Sequence, residues 1–352
     1  MLTHPARWWR AEHGRVRCEL CARYCLLGEG QRGYCGVRLA GAGELRTLLR
    51  NVHAGLAVDP IEKKPLFHVQ PGSRILSFGT AGCSMGCDFC QNWRMSTATP
   101  EQLGLRATTA GEIVAFALAH GCGSIAFTYN EPSIGAEWCL EVAGEARAAG
   151  LLTVAVSNAY VGETARSDFF GAMDAANLDL KGFTDGFYRR RCKSRLAPVL
   201  ATLEAARQAG TWIEITTLLI PGENDGEGEI AAEARWIAGN LGPEVPLHFS
   251  AFHPDHRLQD KPPTSLEVLQ RARRIALGEG LRHVYTGNLP DPQGTSTHCA
   301  GCGAVLIARA GYRIGRCDLK NGTCPHCGTA LAGLFQREPF TAPAAAGAPP
   351  GS

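Results

Sequence analysis

The sequence predicts an α/β fold, a parallel sheet with helices packed on its outside. Two observations carry the prediction. From Ile75 to Asn288, short apolar runs alternate with longer segments whose apolar residues recur at helical spacing. Several of those segments stop at a glycine, a common helix terminator. About six strand–helix units follow one another, too few for a closed eight-stranded barrel.

Taken in order, the strands are expected over 74–80, 124–130, 152–159, 176–181, 212–220, 246–252 and 283–287. The segment 109–120 carries Ile113, Val114, Phe116, Ala117 and Leu118 and ends before Gly121, as an amphipathic helix does. Segments 132–149, 198–209, 227–240 and 265–277 behave similarly. Pattern alone leaves an open doubly wound sheet as the alternative to a partial barrel. In either architecture ligands gather at the C-terminal ends of the strands.

The chain is organised around the loop that leaves the first strand. Cys83, Cys87 and Cys90 form a C-x3-C-x2-C run there, with Phe89 just before the last cysteine. Four thiolates would close a zinc site or a [4Fe-4S] cube, whereas three leave one metal corner open for chemistry. This loop resembles the cluster loop of radical S-adenosylmethionine (SAM) enzymes. The resemblance implies a partial (β/α)6 barrel and a [4Fe-4S] cluster on Cys83, Cys87 and Cys90. It also implies SAM on the fourth iron, with Phe89 near the adenine. One electron from such a cluster cleaves SAM to methionine and a 5′-deoxyadenosyl radical, which abstracts hydrogen from a substrate.

The strand ends supply candidates for holding the cofactor. Tyr129, Asn130 and Glu131 stand where the family usually has Gly-Gly-Glu, so Glu131 carries over better than its neighbours as the clamp for the methionine amino group. Asn158 ends the third strand. Asp179 and Lys181 alternate onto one face of the fourth strand, as an internal ion pair or as partners for SAM's ammonium and carboxylate. Glu214 and Thr216 share a face of the fifth strand and are placed to line the cavity, and the run 220–222 resembles the family's adenine-contacting turn. Of His248 and His253 near the sixth strand, His253 is the preferred contact.

Two more cysteine groups flank this core. Cys18, Cys21, Cys25 and Cys35 suit a structural zinc or a second iron–sulfur cluster, and the sequence does not choose. Cys299, Cys302, Cys324 and Cys327 have zinc-ribbon or rubredoxin-type spacing, so zinc is expected, with iron making a redox site. Cys122, Cys139, Cys192 and Cys317 read as buried thiols, and the charged run 59–68 reads on spacing as a solvated loop. The expected layout is a Cys-rich module and lead-in at 1–70, the core at 71–290, a ribbon at 291–336 and a disordered tail at 337–352.

Composition narrows the function classes. A net charge of +2 points to neither nucleic acid nor a membrane surface. The 15 cysteines are odd in number and clustered, and the first residues lack a signal-peptide core. Metal binding in the cytoplasm is therefore expected over a disulfide framework. The runs 59–66, 90–93, 128–132 and 179–181 are similar to those of one subgroup, the radical SAM component of the AmmeMemoRadiSam system, often labelled as related to pyruvate formate-lyase activating enzyme. That resemblance implies Memo-like and AMMECR-domain partners and a flavodoxin- or ferredoxin-type electron donor. Arg23 replaces a histidine usual in that subgroup, Ala159 stands where glycine is commoner, and no eight-cysteine ferredoxin insert is present. Two competing readings are a glycyl-radical activase and a non-catalytic, metal-stapled module that binds protein or RNA.

Overall fold

The computed structural model describes residues 3–335; the tail expected at 337–352 lies outside them. Seven parallel strands follow in chain order across one sheet: β1 (Arg74–Gly79), β2 (Ser124–Phe127), β3 (Leu152–Ser157), β4 (Ala175–Asp179), β5 (Trp212–Leu219), β6 (Leu247–Ala251) and β7 (Val284–Gly287). Phe127 pairs with Phe78 on one side and Ala155 on the other. Helices α1 (Ala110–Ala119), α2 (Ala136–Ala148), α3 (Glu163–Gly171), α4 (Leu196–Gln208), α5 (Glu227–Asn240) and α6 (Leu266–Gly278) fill the six crossovers. The α1 start shows the local logic. The Thr109 hydroxyl accepts from the Glu112 amide while the Glu112 carboxylate accepts from the Thr109 amide, a capping box. Ile113, Val114 and Ala117 then turn inward.

The eighth strand of the sheet overturns the solvated-loop expectation for 59–68. Gly55–Pro60 pairs antiparallel with β1, and the chain then folds across the N-terminal ends of the strands. Ile61, Leu66 and Val69 pack there with Ile75, Ala126, Val154 and Ala175. Asp59, Glu62 and Lys64 are buried, Lys63 is exposed, and each has a partner. Asp59 holds Lys63 and Lys64, both at 2.8 Å, and Glu62 faces Arg309 at 3.6 Å. Although burial works against it, the two lysines hold the Asp59 carboxyl well below the usual carboxylate range.

This plug shows that the sheet curls. It continues from the edge strand beside β1, yet His68 Nε2 meets the hydroxyl of Tyr285, on β7, at 2.7 Å. The two sheet edges therefore approach one another around a packed interior, as in a partial barrel. Cys122, Cys139 and Cys192 are buried as expected; Cys317 is exposed on an edge of the C-terminal ribbon, a correction to the reading of it as buried. Among the described residues, no helix is long and apolar enough to cross a membrane.

Candidate active site and metal centres

The loop after β1 is shaped by its neighbours before any cofactor is considered. Gly79 lies so close to the Thr128 carbonyl and Asn130 that a side chain there would collide with both. Asn130 Oδ1 accepts from the Thr80 amide at 2.8 Å, and Nδ2 donates to the Gly82 carbonyl at 2.9 Å. Asn130, expected to bind cofactor, is thus engaged in holding the start of the cysteine loop. Gly86 donates to the Cys192 carbonyl at 3.1 Å and Asp88 to the Arg191 carbonyl at 2.8 Å, which pins the loop's middle to Tyr188–Cys192.

Cys83, Cys87 and Cys90 are each half-buried. Asn158 Nδ2 donates to Cys83 Sγ at 3.4 Å and to Ser84 Oγ at 3.2 Å. A donor on a thiolate sulfur stabilises its charge, so Asn158 sits where a metal-bound Cys83 needs it. Ser96 lies 3.6 Å from Cys90 Sγ. Glu131 is buried, its Oε1 accepting from Ser133 N (3.0 Å) and Ser157 Oγ (2.8 Å), its Oε2 from Asn158 N (2.7 Å). Burial pushes its carboxyl up, and no cation among the described residues forms an ion pair with it. A fixed, buried carboxylate next to Cys83 is a receptor for a positively charged group.

Lys181 and Asp179 pair with each other at 2.8 Å, and the Lys181 ammonium lies 6.0 Å from the Phe89 ring centre. Burial opposes the Lys181 charge, but Asp179 and the nearby Cys87 thiol outweigh it, and its pKa stays well above the ordinary lysine value. Phe89 is buried against Phe187. His253 is exposed, with Nδ1 3.2 Å from Gln91 Nε2, one residue past Cys90. Ala159 keeps a left-handed backbone at φ 57°, the conformation that glycine adopts without strain.

Glu214 is corrected by its surroundings. It is the third residue of the eight in β5, and its oxygens accept from the amides of Phe67 (2.9 Å) and His68 (2.8 Å) and meet His248 Nε2 at 2.7 Å. It therefore anchors the plug at the N-terminal ends of the strands, away from the cysteine loop. His248 belongs to the same floor.

Sequence reasoning missed Arg23 as a structural tie. Its guanidinium donates to the Ser84 carbonyl and to the Lys193 carbonyl, both at 2.5 Å, and lies 3.4 Å from the Tyr34 ring centre. Also missed was a charged brace above the barrel, in which Glu223 meets Arg191 at 2.6 Å and Lys261 at 2.9 Å. Arg191 chiefly lowers the Glu223 carboxyl to about 2. Neither arrangement leaves a local signal, because each joins segments distant in the chain.

The ribbon holds the tightest cysteine group. Cys299, Cys302, Cys324 and Cys327 have all four sulfurs within 4.8 Å of one another. Thiols gathered this closely can hold one metal ion, and Thr329 already lowers the Cys327 thiol to about 6. The ribbon docks on the floor: Arg309 donates to the Phe67 carbonyl at 2.7 Å and the Ala332 carbonyl meets His68 Nδ1 at 2.7 Å. The six residues of β1, about 20 Å of strand, separate that floor from the cysteine loop.

The fold and loop define the class. Residues 78–234 match the radical SAM superfamily, so the chain carries a radical SAM domain over that stretch. The chain is also 39% identical over 321 residues to the uncharacterized protein MJ0808 of Methanocaldococcus jannaschii, an alignment covering 91% of this chain and 96% of that protein. A domain of pyruvate-formate lyase-activating enzyme from Bacteroides vulgatus aligns at 18% identity and a TM-score of 0.42, covering 47% of this chain and 99% of that one. A radical SAM methyltransferase from Sphaerobacter thermophilus aligns at 16% identity and 0.49, covering 62% and 68%.

Proposed function

We propose that the protein reductively cleaves SAM at a [4Fe-4S] cluster on Cys83, Cys87 and Cys90, for hydrogen abstraction from a substrate. When bound, that cluster supplies the electron that breaks SAM's sulfonium bond. The observation that carries the reading is Glu131: a buried carboxylate, oriented by three donors and with no ion-pair partner among the described residues, beside a three-cysteine loop. It is placed to receive an ammonium. Asn158 couples the two halves of the site, since its amide holds Glu131 and its side chain donates to Cys83. Asn130 fixes the loop's approach, and buried Phe89, Met85 and Phe187 exclude water around it. The finer subgroup, the AmmeMemoRadiSam component with its partners, is supported by the runs at 59–66, 90–93 and 128–132.

The test is anaerobic reconstitution with iron and sulfide, followed by SAM and a strong reductant. 5′-Deoxyadenosine should form only with both added. Glu131→Gln, which keeps the shape and removes the charge, should weaken SAM binding roughly 10- to 100-fold, the loss of one charge-assisted contact. An unchanged dissociation constant in that variant would remove Glu131 from the site.

A further inference from the structure

The three cysteine groups differ in spacing. In the ribbon, Cys299 and Cys327 sulfurs lie 3.5 Å apart and Cys302 and Cys324 sulfurs 3.7 Å apart. A tetrahedron with metal–sulfur arms of about 2.3 Å has edges of about 3.8 Å, so this group fits one ion. Neither Cys83, Cys87 and Cys90 nor any three of Cys18, Cys21, Cys25 and Cys35 come within 4.8 Å of one another. The N-terminal four nevertheless form one group. All are free thiols, Cys18 and Cys21 are buried, and the Cys21 thiol lies within electrostatic reach of the other three. Thiols grouped but held apart suit a guest larger than one ion, with each sulfur on its own iron. The buried Arg38 guanidinium, paired with Glu137 at 2.6 Å, adds positive charge next to Cys18 and Cys35.

The group touches the first site directly. A side chain at Gly82 would run into the Cys35 carbonyl oxygen, and Gly82 precedes Cys83. Cys21 bridges to Val161, and the neighbouring Tyr160 amide donates to Asn158 Oδ1, whose partner Nδ2 donates to Cys83 Sγ. On its outer side Cys25 lines a cleft of about 710 Å³ with Arg23, Arg189, Lys193 and Arg195. Arg189 and Lys193 pair with Asp185 and Asp88, whereas Arg23 and Arg195 have no carboxylate partner among the described residues.

We infer that Cys18, Cys21, Cys25 and Cys35 bind a second four-iron cluster, in electronic contact with the first and reached by an anionic one-electron carrier at the basic cleft. One electron passes from that carrier to the second cluster and on to the first; the carrier ends oxidised by one electron, the second cluster returns to its starting state, and no bond changes. The relay rests on the SAM-cleaving function proposed above; the second cluster does not.

The decisive protein is the full chain with Cys83, Cys87 and Cys90 all changed to alanine, reconstituted anaerobically. It should keep about half of the wild-type iron and acid-labile sulfide and give, on dithionite reduction, an electron-spin signal that SAM does not alter. Loss of all sulfide, with a second zinc per chain in its place, would overturn the inference. The reciprocal variant, C18A/C21A, should also lose about half of the iron and keep a SAM-responsive signal. Should it fail to fold, Mössbauer spectra of the wild type decide: SAM ligates a single iron, so about one iron in eight should shift on adding it. A shift of about one iron in four refutes the second cluster. A shift of none, with the triple variant still holding half, refutes the SAM function and leaves the second cluster standing.

Discussion

Cys87→Ala is expected to lower 5′-deoxyadenosine formation by about a thousandfold or more, because a missing ligand leaves the cluster without one of its three anchors. The informative control is Cys192→Ala. The Cys192 thiol is buried against that of Cys87 and lies beside the same Lys181 ammonium. Two thiols therefore meet at one place, and only their mounting differs. Cys87 rides on the loop with Cys83 and Cys90, whereas Cys192 ends the Tyr188–Cys192 segment that braces the loop from outside. Cys192→Ala should retain the iron of the wild type. Iron and SAM cleavage surviving in Cys87→Ala but vanishing in Cys192→Ala would reverse the ligand assignment.

The second large effect is on stability and comes from Glu233, on the inner face of α5. It is buried, and burial raises its carboxyl to about 8. The Thr217 hydroxyl has one proton for two acceptors, the Leu180 carbonyl at 2.8 Å and Glu233, so a protonated carboxyl, able to donate in turn to Thr217, is compatible with both contacts. The folded chain therefore keeps a proton that the unfolded chain releases above the ordinary value of 4.5. Stability should fall as pH rises from about 4.5 to about 8, by up to roughly 1.4 kcal/mol per unit, or on the order of 3 kcal/mol by pH 7. Glu233→Gln removes the titration and should flatten that contribution. Denaturant midpoints of both proteins across this window test it, and parallel profiles would exclude Glu233 as the source.

Much of this was legible in the sequence for a simple reason. Apolar alternation and cysteine spacing are local, and seven strands, five helices, the three-cysteine loop and the ribbon each announce themselves within a dozen residues or so. The helix α3 escaped because its nine residues carry only Ala165, Phe169 and Phe170 inward among polar neighbours, too short a stripe to stand out. The plug escaped because its charges look solvated until their partners are known, and Arg309, the partner of Glu62, lies far along the chain.

Strand alternation also placed Glu214 on the inner face of the barrel, correctly, but alternation carries no information about height along the axis. Height decided its role, since only folding brings Phe67, His68 and His248 to it. The sequence by itself determined the class of chemistry, because three cysteines at fixed spacing on one loop are a property of contiguous residues. Tertiary structure alone decided which polar residues face that loop, how far apart each set of sulfurs stands and which two cysteine groups touch. Those are distances between segments remote in sequence, set by how the sheet curls and what packs against its two ends.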